Sequence, residues 1–193
     1  DPYIILDTEN VKAAAELAWG TRMYNTGQAC NSNKRLIVAE DIYDEFVQEL
    51  VNLAQHMEPG LPDAAGGTVY APLSSRSAAE NLKDQLDRAV SAGGQLLVGG
   101  ELSDEGAYIS PAVITDIPRG SDSYYEEFFG PVATVYKFKT DEEALEIAND
   151  NVFGLGAAVF SQDSKRAQAI AERIDSGMSN VNTPTGEGPE LPF

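Results

Sequence analysis

The sequence predicts an α/β domain built on a parallel sheet with three layers, and three observations lead there. Short apolar, β-branched runs alternate with longer amphipathic runs along the whole chain, the pattern of strands separated by crossover helices. Most of the strand candidates are largely apolar rather than alternating, as expected where both faces of a sheet are covered. The 193 residues, 42% of them apolar, suffice to bury a sizeable core, and no internal repeat, linker or low-complexity tract divides them. One domain over residues 1–193 is expected.

The elements follow in order. "YIIL" (Tyr3 to Leu6) reads as a strand, and Asp7 or Thr8 can cap the Ala-rich helix from Val11 to about Tyr24. "RLIVA" (Arg35 to Ala39) is brief and β-branched, so it is a strand. Ile42, Phe46, Leu50 and Leu53 recur at helical spacing and predict a helix from Ile42 to His56. A helix is expected over Ser77 to Ala92, then a strand over Gln95 to Gly100. Ala107 to Thr115 reads as a strand broken at Pro111, which points to a bulge or an edge. "VATVYKF" (Val132 to Phe138) is a strand. Helix Asp141 to Asn149, strand Gly156 to Phe160, helix Ser164 to Ile174 and strand Met178 to Val181 complete the series.

Composition excludes several function classes. Thirty-one acidic against 13 basic side chains give a net charge of −18, a field that repels nucleic acid and anionic membranes. No apolar run approaches the roughly 20 residues of a membrane span. A single cysteine rules out an intrachain disulfide and any metal site needing two thiolates; no metal is expected, and a reducing, cytoplasmic compartment fits. The chain begins at "DPYIIL" without a Met and reads as a segment of something longer.

That cysteine, Cys30, lies in "YNTGQACNSNK" (Tyr24 to Lys34), a Gly- and Asn-rich connection between a helix and a strand. Gly27 lets backbone approach a ligand, and Asn25, Gln28 and Asn31 supply amide donors. The N–H of Cys30 could steady an oxyanion formed by attack of its own sulfur. A buried structural residue is the commoner fate of a lone thiol, and the spacing alone leaves both readings open. His56, the only histidine, ends a helix and reads as a solvated helix end. Trp19 reads as core.

"NTGQAC" followed by "NSNKR" resembles the cysteine motif of the aldehyde dehydrogenase superfamily, and "EEFFGPV" (Glu126 to Val132) resembles its Glu-x-Phe-Gly-Pro signature. "ANDNVFGLGAAVFSQD" and "NVNTPTGEGPELPF" are similar to the family's later strand-helix and anchor-loop segments, in the same order. The flavour is that of the bacterial succinate-semialdehyde dehydrogenases. The resemblance implies a domain of the aldehyde dehydrogenase catalytic type, a cofactor that is NAD or NADP, an aldehyde substrate, and a parent that is a homodimer or homotetramer. It implies that Cys30 attacks the aldehyde to give a thiohemiacetal, that hydride passes to the nicotinamide, and that water hydrolyses the thioester. It assigns Glu127 to the nicotinamide ribose, Phe129 to a position beside the nicotinamide ring, and Tyr24 and Asn31 to the substrate pocket. A non-catalytic relative or binding module that has kept the fold is the alternative.

The chain also departs from the pattern. Tyr24 stands where succinate-semialdehyde enzymes carry an Arg for the substrate carboxylate, and Tyr has neither the charge nor the fork. Glu187 and Glu190, in the anchor-loop segment, would repel an anion at the mouth. Ser32 replaces the second cysteine with which some relatives form a redox switch. No G-x-G-x-x-G is present; the Gly66-Gly67, Gly93-Gly94 and Gly99-Gly100 pairs read as turns. The dinucleotide-binding domain, the water-activating glutamate and the oxyanion-hole amide are expected upstream of Asp1, and an oligomerisation tail beyond Phe193. On this reading the chain folds by itself without oxidising aldehydes.

Overall fold

The computed structural model describes residues 1–63 and 67–184, so Gly66, Glu187 and Glu190 lie outside the described residues. Strand β1 (Pro2–Ile5) leads through helix α1 (Val11–Met23) and a 3₁₀ turn (Tyr24–Gly27) to β2 (Arg35–Ala39) and α2 (Glu40–Gln55). A two-residue pair, β3 (Glu58–Pro59) and β4 (Val69–Tyr70), precedes α3 (Arg76–Ser91), β5 (Gln95–Val98), β6 (Ala112–Thr115) and α4 (Asp122–Tyr125). Then come β7 (Val132–Phe138), α5 (Asp141–Asn149), β8 (Gly156–Phe160), α6 (Ser164–Ala171) and β9 (Met178–Val181).

Seven strands form one sheet in the order β5-β6-β7-β2-β1-β8-β9. Every neighbouring pair is parallel except β5 with β6, so the expected parallel sheet carries one antiparallel edge. Successive side chains of a strand point to opposite faces, and the cores follow that alternation. Tyr3, Ile5, Leu36, Val38, Ala133 and Val135 pack under α1 and α2 on one face. Ile4, Ile37, Ala157 and Val159 pack against α5 and α6 on the other. Ala112, Ile114 and Val132 meet α3 and α4 on that second side. The three layers are helices, sheet, helices.

Local chemistry sets the ends. The cap of α1 is Asn10, not Asp7 or Thr8: its Oδ1 accepts from Ala13 N at 3.0 Å, while Thr8 Oγ1 accepts from Asn10 N. Ser75, Thr140 and Asp163 cap α3, α5 and α6 in the same way. The stretch Ala107 to Thr115 splits in two: Ile109 makes only an isolated bridge to Leu102, and β6 starts after Pro111. Proline has no N–H to give the ladder, and Gly99 packs so closely that a Cβ there would lie 1.8 Å from Pro111 O. Trp19 is core, 4% exposed.

Asp7 is engaged elsewhere. Its carboxylate accepts from Ser161 Oγ at 2.7 Å, Gln162 N at 2.7 Å and Arg166 Nη1 at 2.9 Å, and Arg166 also pairs with Asp141. Burial pushes the Asp7 carboxyl up, but the Gln162 N–H, the Ser161 hydroxyl and Arg166 together hold it below the usual range. A carboxyl depressed on folding stabilises above its unfolded value, near ~3.9, and loses that contribution as pH falls through the folded value. The melting-temperature gap between wild type and Asp7→Asn should therefore be steady above about pH 5 and close below about pH 4. Thermal melts over an acid series check it; a gap unchanged at pH 2 to 3 would show that the carboxylate charge contributes nothing.

Candidate active site

Ligands in open α/β sheets usually gather beyond the carboxyl ends of strands. Here the cysteine loop stands at the amino end of the sheet, immediately before β2. The segment Glu126 to Pro131 stands immediately before β7. Strands β2 and β7 are parallel neighbours with Arg35 opposite Thr134. That register brings together two motifs far apart in sequence.

The turn after α1 is strained. Asn25, Thr26 and Gly27 take φ of 49°, 54° and 72°, three successive left-handed residues, the second of them β-branched. Side chains over-determine it. Thr26 Oγ1 accepts from Ala71 N at 3.1 Å, and Gln28 Oε1 accepts from Ser74 N at 2.8 Å. Asn25 and Gln28 also bond each other's carbonyls. Gly27 is required for a further reason: a Cβ there would lie 2.1 Å from Gly130 O. The two motifs touch through bare backbone.

Arg22, on the last turn of α1, has no exposed surface and engages all five N–H donors of its guanidinium. Nε donates to Val132 O, one Nη to Gly27 O and Ser32 Oγ, and the other Nη to Phe128 O and Gly130 O, at 2.5–3.1 Å. Burial pulls Arg22 down to about 9, with Glu127 acting in the opposite direction; it is charged at neutral pH. Lys34, on the strand side of the loop, donates to the carbonyls of Ala29, Cys30 and Ser32 and pairs with Glu127 Oε1 at 3.0 Å. Arg22 and Lys34 thus bind the cysteine loop to the Glu126–Pro131 segment from two sides. As basic residues in a helix end and a polar loop they gave no sequence signal beyond their place either side of the only thiol.

In this chain Cys30 is exposed, unlike the buried structural residue that a lone thiol could also have been. It lines a cavity of about 830 Å³ together with Tyr24, Asn31 and Phe129, three of the four other sequence-predicted site residues. The fourth, Glu127, sits behind the loop against Lys34. Tyr24 is 72% and Phe129 44% exposed. Glu16 is the one charged residue among the described lining. The nearby cations do not reach the cavity as free donors: Arg22 and Lys34 are engaged as above. Arg35 donates to Ile147 O and lies 4.6 and 4.7 Å from the Tyr124 and Tyr136 rings. His56 lies at the end of α2, its Nδ1 2.6 Å from Asn52 O. Among the described residues no cluster of three acids, histidines or cysteines could hold a metal, and no helix is long and apolar enough to cross a membrane.

Comparison with known proteins gives a consistent picture. The aldehyde dehydrogenase family matches residues 1–193. Over 194 aligned residues the chain is 44% identical to the NADP(+) succinate-semialdehyde dehydrogenase of Deinococcus radiodurans, covering 100% of this chain and 40% of that protein. It is 37% identical to a vanillin dehydrogenase of Pseudomonas fluorescens, covering 100% and 39%. Among solved structures, the Streptococcus pyogenes succinic semialdehyde dehydrogenase in complex with NADP+ superposes with a TM-score of 0.92 at 39% identity, over 100% of this chain and 42% of that one. Betaine aldehyde dehydrogenase from Staphylococcus aureus with NAD+ gives 0.93 at 30% identity, over 100% and 39%. The chain spans about 40% of the length of the curated relatives it matches.

Proposed function

The chain belongs to the aldehyde dehydrogenase family, and from that premise we propose that it provides the nucleophile, Cys30, and the nicotinamide-facing surface of an enzyme that oxidises an aldehyde to its acid with NAD or NADP. The observation that carries this reading is that Cys30 is exposed and lines one cavity with Tyr24, Asn31 and Phe129.

The thiol is a competent nucleophile as its thiolate. Its sulfur adds to the aldehyde carbon, and the carbonyl oxygen takes the negative charge of a thiohemiacetal. The Cys30 N–H makes no backbone hydrogen bond among the described residues and is available to that oxyanion. Asn31 adds an amide on the same wall. A bound nicotinamide dinucleotide supplies the hydride acceptor. The residues fit such a group: Phe129 offers a half-exposed ring in the lining that includes Cys30, and Glu127, paired with Lys34 through Oε1, offers a carboxylate able to accept from ribose hydroxyls. Hydrolysis of the resulting thioester at Cys30 frees the acid. We place the protein in the cytoplasm, which the lone thiol supports, and propose the homodimer or homotetramer that the resemblance implies.

Two relatives' names give succinate semialdehyde and vanillin as substrates, and the described lining bears on the choice. It holds an acid, Glu16, and no Lys or Arg, so an aldehyde bearing a carboxylate meets no cation among these residues. The test is NAD(P)H formation by the full-length protein over an aldehyde panel, in wild type and Tyr24→Arg. Wild type should prefer succinate semialdehyde over a neutral aldehyde of equal length less strongly than relatives that carry an Arg at the Tyr24 position. Tyr24→Arg should raise kcat/KM for the anion about tenfold, the worth of one charge-assisted bond. A wild type strongly selective for the anion that loses selectivity in Tyr24→Arg would show the carboxylate is held elsewhere. No turnover with any aldehyde, alongside a thiol inert to alkylation, would favour a non-catalytic relative.

A further inference from the structure

Lys34 stands one residue before β2, and only 6% of its side chain is accessible. An ammonium has three N–H donors, and four acceptors surround this one. The carbonyl oxygens of Ala29 and Cys30 lie 3.0 Å from Nζ, that of Ser32 2.9 Å, and Glu127 Oε1 3.0 Å. Three of the four belong to the loop that presents Cys30. The fourth belongs to the segment that presents Phe129, whose ring centroid is 5.7 Å from Nζ. Since three carbonyls suffice for three protons, the Glu127 carboxylate can turn to another partner without leaving a Lys34 donor unmet.

We infer that Lys34 is a positioning residue: its ammonium holds the backbone on both sides of Cys30, couples that loop to Glu127, and keeps a positive charge behind the sulfur. The inference rests on the roles proposed above for Cys30 and Glu127. The charged and titratable groups facing Lys34 are Arg22 from α1, Glu127 from the segment before β7 and Cys30 from its own loop; Asp1, at the head of β1, accepts from Lys34 N through its backbone carbonyl. The cavity lining also includes Glu16 of α1 and Tyr24 just after it. A clamp made only of hydrogen bonds would need the donors and not the charge. The two roles therefore separate experimentally.

The test uses the full-length protein as Lys34→Gln, Lys34→Met, Lys34→Arg and Glu127→Gln, with melting temperature as the check on folding. The readouts are the rate of Cys30 alkylation by iodoacetamide at neutral pH, and kcat and KM for the aldehyde. Lys34→Gln and Lys34→Met should slow alkylation about tenfold and lower kcat at least as much, with KM for the aldehyde within about twofold. Lys34→Arg, which keeps the charge, should recover most of the alkylation rate. Glu127→Gln should alkylate at or above the wild-type rate, because the ammonium then stands unneutralised. Alkylation at the wild-type rate in folded Lys34→Gln overturns the inference, and so does a Lys34→Arg variant no faster than Lys34→Gln. If Lys34→Met fails to fold, the Gln and Arg variants decide. Alkylation requires no turnover, so its indifference to Lys34 in a protein that Cys30→Ala inactivates overturns Lys34 alone. An active Cys30→Ala variant overturns the proposed nucleophile instead.

Discussion

Cys30→Ala in the full-length protein should lower kcat for aldehyde oxidation by at least about ten-thousandfold, the scale seen when a covalent nucleophile is removed. Cys30→Ser should leave a trace at most. A hydroxyl has the shape of the thiol but is almost wholly protonated at neutral pH, whereas a cysteine supplies a few per cent of thiolate and is intrinsically the better nucleophile. The structure makes the comparison clean. Cys30 is exposed, so truncation opens no core cavity, and the loop is held by Lys34 through the carbonyls of Ala29, Cys30 and Ser32, which Ala and Ser retain. Both variants should therefore melt with wild type and differ only in turnover. Steady-state NAD(P)H formation, with a melting curve beside it, is the measurement. Substantial turnover by Cys30→Ala would remove Cys30 from the chemistry.

The largest effect on stability is expected at Arg22. Replacing it by Met, which keeps most of the volume, strips hydrogen bonds from Gly27 O, Ser32 Oγ, Phe128 O, Gly130 O and Val132 O at once. Leaving one buried polar group unmet costs about 1–3 kcal/mol. The charge was itself costly to bury, so the losses do not simply add, and about 3–5 kcal/mol overall is expected. Against a total stability of about 5–15 kcal/mol for a domain that is a large share. Arg22→Lys should recover less than half of the loss, since three donors on a single nitrogen cannot meet the five acceptors that the guanidinium fork reaches. Urea denaturation of the three proteins gives the comparison through the midpoint at constant m-value. A loss under about 1 kcal/mol in Arg22→Met would show that water or relaxed backbone replaces the guanidinium.

Much of the architecture was legible in local pattern. Strand Gly156–Phe160 and helix Asp141–Asn149 lie where an apolar run and helical spacing put them, because burial of one face or stripe is a property of neighbours in sequence. The ends of α1 and the strand before Pro111 were less legible. Asp7, Thr8 and Asn10 can all cap a helix, and the choice fell to Asn10 because Asp7 is taken by Arg166, Ser161 and Gln162, over 150 residues away. The short β3–β4 pair and α4 carry too few residues for a periodicity to show.

The sequence by itself determined that this is an α/β chain with one thiol on a Gly- and Asn-rich loop, and it carried the motifs by which its family is recognised. The tertiary structure alone decided that the thiol is exposed, that Phe129 shares its cavity, and that Arg22 and Lys34 bind the two motifs together. The physical reason is range. Helical and strand patterns report hydrogen bonds and burial within a few residues, whereas the acceptors of Arg22 in the second motif lie 106 to 110 residues onward. They come within reach only because β2 and β7 run side by side in parallel register, and no local pattern records which strands are neighbours.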